Sequence, residues 1–259
     1  MQDVDLDIDY GEIFSILGPN GAGKTTTIEI LEGHRRRDAG EVRVLDEDPG
    51  TAGRGWRARV GIVLQSTSDF GMLTVLETVR MFAKCYGRAR QPDELLDLVG
   101  LASCSGSRVR TLSGGQRRRL DVALGIIAEP DLLFLDEPTT GFDPEARRQF
   151  WDLIKMLASD GTTILLTTHY LEEAAELADR VAVMAEGRVA AVDSPARLTA
   201  HVNSAATVRW VEGNQIRVEV TDRPTELIRQ RSREGAELAG LTVTRPTLED
   251  AYLQLIGEA

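Results

Sequence analysis

Apolar residues in this chain gather in short dense runs: Ile13-Phe14-Ser15-Ile16-Leu17, Val60-Gly61-Ile62-Val63-Leu64, Leu132-Leu133-Phe134-Leu135 and Thr163-Ile164-Leu165-Leu166-Thr167. Runs of that length without polar alternation read as strands covered on both faces, the habit of parallel sheets. Between them the pattern turns helical, from Thr26 to Glu32 and from Ser113 to about Ile127. Thr74 and Glu77 form a capping box before Val79-Arg80-Met81-Phe82-Ala83, and Pro92 opens a second amphipathic stretch, Glu94 to Val99. After Asp193-Ser194-Pro195 the texture changes. Ala206 to Val211 and Gln215 to Val220 read as a hairpin around Glu212-Gly213-Asn214. A helix (Thr225 to Arg233), a strand (Glu237 to Thr244) and a helix (Leu248 to Leu255) follow. Strands alternating with helices predict an α/β fold, with a small α+β module at the end.

Polar chemistry collects where the strands end. Behind the first strand stands Gly18-Pro19-Asn20-Gly21-Ala22-Gly23-Lys24-Thr25, followed by helix. Glycines at a strand-to-helix turn bring backbone N–H groups close to phosphate oxygens, and the positive end of the helix faces the same anion. Lys24 is placed to reach β- and γ-phosphates and the Thr25 hydroxyl to ligate Mg²⁺, which predicts nucleoside triphosphate binding. The Leu132-Leu135 strand ends in Asp136-Glu137. A carboxylate at the tip of an apolar strand is poorly explained by packing. Asp136 suits the Mg²⁺ side of a phosphate-loop site, and Glu137 the orientation or deprotonation of water. His169 follows the Thr163-Thr167 strand. Lys24, Asp136, Glu137 and His169 are thus expected at one edge of a parallel sheet, where α/β folds place ligands.

Leu112-Ser113-Gly114-Gly115-Gln116 adds a second glycine-rich helix start. Ser113 and Gln116 also read as a capping box, but two glycines there are poor helix formers and leave bare backbone suited to a phosphate. Together with Gln65 after the second strand and Asp143 in Gly141-Phe142-Asp143-Pro144, these residues resemble the ATP-binding subunit of ABC transporters over roughly 3–192. Asp143-Pro144 reads equally as a helix N-cap followed by proline at the first helical position.

The resemblance implies a P-loop NTPase with a RecA-like, parallel-rich sheet over 1–195, a helical signature subdomain inserted at about 66–130, and an accessory α+β module over 200–259. It implies ATP and Mg²⁺ as cofactors, held by residues 18–25 with Thr26, and by Thr25, Gln65 and Asp136 at the metal. Glu137 becomes the catalytic base and His169 the γ-phosphate contact. Two domains pair head to tail, so that Ser113, Gly114, Gly115 and Gln116 act on the partner's nucleotide and Asp143 joins the two sites. Gln65 relays the nucleotide state to the helical subdomain, which meets a separate transmembrane permease near Phe70 to Leu76. The ending Pro246-Thr247-Leu248-Glu249-Asp250-Ala251-Tyr252-Leu253 is similar to the tail of daunorubicin-resistance-type exporter ATPases, a regulatory or dimer-supporting module or an inert cap on the sheet edge. The start departs from the family pattern: only 23 residues precede Lys24, and Tyr10 lies too near the loop for the ring that stacks on adenine. Such stacking is worth ~1 kcal/mol or more, so weaker ATP binding and an incomplete first sheet are expected.

Composition narrows the setting. No apolar run approaches the ~18 residues of a membrane helix, and the acidic start is unlike a signal peptide. The expected place is the cytoplasm, peripheral on the inner face of the cell membrane, touching it only through the permease. A net charge of −11 argues against nonspecific nucleic-acid binding. The runs Arg35-Arg36-Arg37 and Arg117-Arg118-Arg119 read as solvated faces or helix-terminal partners. Cys85 and Cys104 lack metal spacing and read as reduced thiols, buried or inert. A soluble ABC ATPase of DNA repair or of ribosomes is the alternative class. Repair members carry long coiled-coil insertions and ribosomal ones two fused ATPase domains, and this chain has neither.

Overall fold

The elements follow in the order β1 (Ile13–Leu17), α1 (Lys24–Leu31), α2 (Arg54–Ala58), β2 (Val60–Val63), α3 (Val75–Ala83), α4 (Pro92–Leu98), α5 (Gly114–Ile126), β3 (Leu132–Asp136), α6 (Pro144–Ser159), β4 (Thr163–Thr168), α7 (Leu171–Leu177), β5 (Arg180–Ala185), β6 (Arg188–Asp193) and α8 (Pro195–His201). Then come β7 (Ala206–Glu212), β8 (Gln215–Thr221), α9 (Pro224–Arg231), β9 (Thr242–Thr244) and α10 (Leu248–Gly257). The computed structural model describes residues 1–63, 70–201, 205–213, 215–232 and 237–257, so Gln65 lies outside the described residues.

The main sheet has the order β2-β3-β4-β1-β5-β6, parallel through β5, with β6 antiparallel at the edge. Side-chain alternation divides each central strand between two cores. Leu133, Leu135, Ile164 and Leu166 face α5, α6 and the helical segment, whereas Phe14, Ile16, Leu132, Phe134 and Leu165 face the side of α1 and Trp56. Covering both faces explains why these strands are continuously apolar. Helix α5 lies close on β2 because two glycines meet: a Cβ on Gly61 would fall 2.3 Å from the Gly125 carbonyl oxygen. That contact seats the helix carrying the signature directly on the sheet.

Residues 1–12 form no strand. Val4, Leu6 and Ile8 pack half-buried against the core beside β1, and beyond them Val44 and Glu47 make an isolated bridge. Both capping boxes form, at Thr74/Glu77 and at Ser113/Gln116. Strand β9 is shorter than its apolar pattern suggests, because a turn at Leu238–Leu241 with Gly240 at φ 63° interrupts the run.

The small sheet β8-β7-β9 has its own core of Val208, Trp210 and Leu227 beneath α9. Helix α10 returns instead to the main sheet, where Leu248 and Ala251 pack with Leu17, Ala174, Val181, Val183 and Leu198. Among the described residues no helix is long and apolar enough to cross a membrane. One reading of the sequence is corrected: Arg118 is buried rather than solvated. Cys85 is a free, exposed thiol and Cys104 a free, half-buried one. Arginine goes inward because its neighbours offer backbone carbonyls and carboxylates to its planar donors.

Candidate functional site

Adjacent strands β3, β4 and β1 end side by side, and their C-terminal ends supply the site. Gly18, which follows β1, is the one loop position where a side chain has no room: a Cβ there would fall 2.5 Å from the Met184 carbonyl oxygen. Gly23 then enters α1 at φ 104°, and no side chain caps the helix. The first-turn N–H groups therefore remain directed out of the helix end. Lys24 is buried and folds back over the loop, its Nζ donating to the carbonyl oxygens of Gly18 at 2.7 Å and Pro19 at 3.2 Å. Burial pushes its pKa down, while the nearby Glu137 and Asp136 carboxylates oppose the shift. Pro19, Asn20, Gly21 and Thr25 are exposed, Ala22 is buried, and Thr26 accepts from Arg35. Uncapped donors and a lysine held over them fit an anion in the loop.

Asp136 closes β3 beside Thr167, whose hydroxyl donates to Asp136 Oδ1. Glu137 lies just beyond in a left-handed backbone conformation, φ 44°. For a residue with a side chain that costs ~1–3 kcal/mol and persists only where surroundings enforce it. Here the Glu137 N–H donates to both the carbonyl and the hydroxyl oxygen of Thr167, at 3.1 and 3.2 Å. Its carboxylate pairs with His169, Oε1 to Nδ1 at 3.2 Å, and Oε2 accepts from the Thr140 hydroxyl at 3.4 Å. His169 stacks on Tyr170 with ring centroids 4.1 Å apart. A cavity of about 290 Å³ joins these pieces, lined by Gly18, Pro19, Asn20, Glu137, His169 and Tyr252.

Sequence reading missed two features. Tyr252 comes from α10, and nothing local distinguishes it, because only the return of that helix to the main sheet brings its ring to the loop. The left-handed turn at Glu137 is likewise invisible in a glutamate. Tyr10 lies elsewhere, exposed and bonded through its hydroxyl to Asp46.

The signature residues do not line this cavity. Ser113, Gly114 and Gln116 are exposed at the start of α5, with the Ser113 hydroxyl accepting from the Gln116 N–H at 3.2 Å and the Gln116 side chain accepting from the Ser113 N–H at 3.0 Å. Gly115 is half-buried near Ala146. Asp143 is exposed and caps α6, accepting from the N–H groups of Glu145 and Ala146. No group of three His, Cys, Asp or Glu side chains able to hold a metal occurs among the described residues. Thr25 and Asp136 carry the oxygen donors that could hold Mg²⁺, which commonly takes one or two protein ligands and completes its shell with phosphate and water.

Residues 1–140 match the family model described as ABC transporter. The chain is 36% identical, over 98% of its length and 90% of the relative's, to the daunorubicin resistance ATP-binding protein DrrA3 of Streptomyces coeruleorubidus. It is 44% identical to the Nod factor export ATP-binding protein I of Paraburkholderia xenovorans, over 73% of this chain and 64% of that one. Among solved structures it resembles a dimeric ATP-binding cassette in a post-hydrolysis state bound to ADP and Pi, at 26% identity and a TM-score of 0.67, covering 74% of this chain and 89% of that one. With a family model spanning more than half of the chain and a relative aligned along nearly all of it, this chain belongs to the ABC transporter family as one of its ATPase cassettes.

Proposed function

We propose that this chain binds and hydrolyses ATP to drive an exporter whose membrane-crossing part is a separate permease. One observation carries the reading: the loop residues Gly18, Pro19 and Asn20 share one cavity with Glu137 and His169, while the glycine-rich start of α5 stays exposed outside it. A site complete on the phosphate side and a second bare helix N-terminus facing outward suit two cassettes packed head to tail. The similarity to a dimeric cassette supports the same pairing. In that arrangement the loop N–H groups and Lys24 hold the phosphates of ATP. The partner cassette's copy of residues 113–116 covers the γ-phosphate, and Asp143 lies at the junction of the two sites. Glu137 takes the proton of the attacking water, and His169, paired to its carboxylate, steadies that group and the γ-phosphate. Thr25, Asp136 and Gln65 would hold Mg²⁺, which would supply positive charge against the phosphates.

Export is supported by relatives named for daunorubicin resistance and Nod factor export. The permease docks near Phe70 to Leu76, where Met72 is 70% exposed and Phe70 packs edge-on against Phe82. This docking holds the chain on the inner face of the cell membrane. In this reading 1–195 is the ATPase domain with its helical insert at about 66–130, and 200–259 is an accessory module. The test is ATP turnover by the chain beside Glu137→Gln, with size-exclusion chromatography of both in ATP and Mg²⁺. Turnover in the parent and an ATP-held dimer in the variant are expected. A variant that turns over as fast as the parent removes Glu137 as the base.

A further inference from the structure

Arg118 sits in the first turns of α5, five residues after Ser113, and is 8% exposed. Its Nε donates to the carbonyl oxygen of Pro138 at 3.0 Å, and a terminal nitrogen donates to the carbonyl oxygen of Asp136 at 2.7 Å. These two carbonyls flank Glu137. One guanidinium thus bridges the peptide that enters Glu137 and the peptide that leaves Pro138, with the left-handed residue between them. Three acids surround the cation. Asp121 lies one turn further along α5, Asp136 ends β3, and Glu173 on α7 is fully buried with Oε1 accepting from Trp151. Burial pushes the arginine pKa down, and these three carboxylates oppose it. Arg118 therefore ties the helix that starts behind Ser113 to the turn of Glu137.

We propose that Arg118 is a positioning residue for ATP hydrolysis: by bridging the Asp136 and Pro138 carbonyls it holds Glu137 in the conformation that aims its carboxylate at His169, and it couples that aim to the placement of α5. The inference rests on the reading of Glu137 as the base. A guanidinium is required because two carbonyls on opposite sides of one residue need two donors at a fixed spread. An ammonium supplies a point charge that satisfies the acids but does not fix both carbonyls. Side chains and peptides of the turn then gain freedom, and displacement of a catalytic group by about 1 Å is worth about a hundredfold in rate.

The experiment compares the full chain with Arg118→Lys and Arg118→Met. It measures kcat and KM for ATP, ATP-induced dimer by size exclusion, melting temperature, and hydrogen–deuterium exchange of the peptide covering 136–142. Arg118→Lys keeps the charge among the acids and guards against a Met variant that does not fold. In Arg118→Lys, kcat is expected to fall about tenfold or more, with KM and nucleotide affinity within about twofold. The ATP-held dimer should persist, and exchange should quicken at 136–142 but not in β1 or β4. Met is expected to be more severe. Unchanged exchange at 136–142, or kcat and KM damaged in parallel with loss of the dimer, overturns the inference. Glu137→Gln run alongside separates the two failures: a fast Glu137→Gln refutes the base, whereas the exchange result judges the bridge whatever the turnover.

Discussion

Helix α1 begins behind Gly23, in a left-handed conformation with no side chain over its end, and carries a buried Lys24. Helix α5 begins behind Ser113, which exchanges hydrogen bonds with Gln116 and leaves Gly114 exposed. Both starts are glycine-rich and both present positive helix ends, yet they are finished in opposite ways. An uncapped end with a lysine beside it needs its anion from within the same cavity that holds Glu137 and His169. A capped end has two of its donors satisfied locally, which lets it stand in water stably, and only its glycine backbone is left for a phosphate brought from outside. In the proposed head-to-tail pairing the two ends would form one site divided between two molecules.

The comparison is broken or sharpened most strongly by Lys24→Ala. Removing the ammonium held over the loop is expected to weaken ATP binding by the single chain about a hundredfold, measured by calorimetry. Gly114→Asp tests the other end. Affinity of the single chain should stay within about twofold, while turnover falls about tenfold or more and the ATP-dependent dimer is lost, because a carboxylate is set against the partner's phosphate. If Gly114→Asp weakens binding by the isolated chain as Lys24→Ala does, the division of the site is wrong.

A smaller effect is expected from Ser113→Ala, which removes the cap of α5. Loss of about 1 kcal/mol lowers the melting temperature by about 2–4 °C without changing nucleotide affinity. The smallest effect concerns the buried acids that both helices carry. Burial, then the carboxylates of Asp136 and Glu29, pushes Glu32 at the end of α1 up to about 7, and burial pushes Asp121 on α5 up to about 6 against the pull of Arg118 and Arg117. A carboxyl whose folded pKa lies above its unfolded value contributes stability that is full at low pH and lost as pH rises through the folded value. The parent should therefore lose melting temperature between about pH 5 and pH 8, and Glu32→Gln should flatten that slope.

Much of this was legible along the chain because the signals are local. Four apolar runs became β1 to β4, and both capping boxes formed where Ser or Thr stands three residues before Glu or Gln. The loop after β1, Asp136, Glu137 and His169 were expected at one edge, and they lie there because adjacent strand ends deliver them together. Arg118 was misread because a run of three arginines on a helix carries no mark of which one points inward. That choice depends on where Pro138 and Asp136 turn their carbonyls. Tyr252 was missed because α10 could have stayed with the small sheet, and its return to the main sheet is a matter of packing. The turn at Gly240 cut β9 short against a favourable strand pattern.

Residue types and their spacing by themselves determined the fold class, the strand-to-helix phosphate loop, the second glycine-rich helix start, and the acid and histidine at the strand ends. Each is set by backbone preferences and side-chain chemistry within a few residues of one another. Only the tertiary structure decided the strand order that puts β3, β4 and β1 together, the left-handed seat of Glu137 against Thr167, the bridging of its flanking carbonyls by Arg118, and the arrival of Tyr252 at the cavity. Those depend on contacts between segments far apart in the chain, whose free energies exist only when both segments are in place.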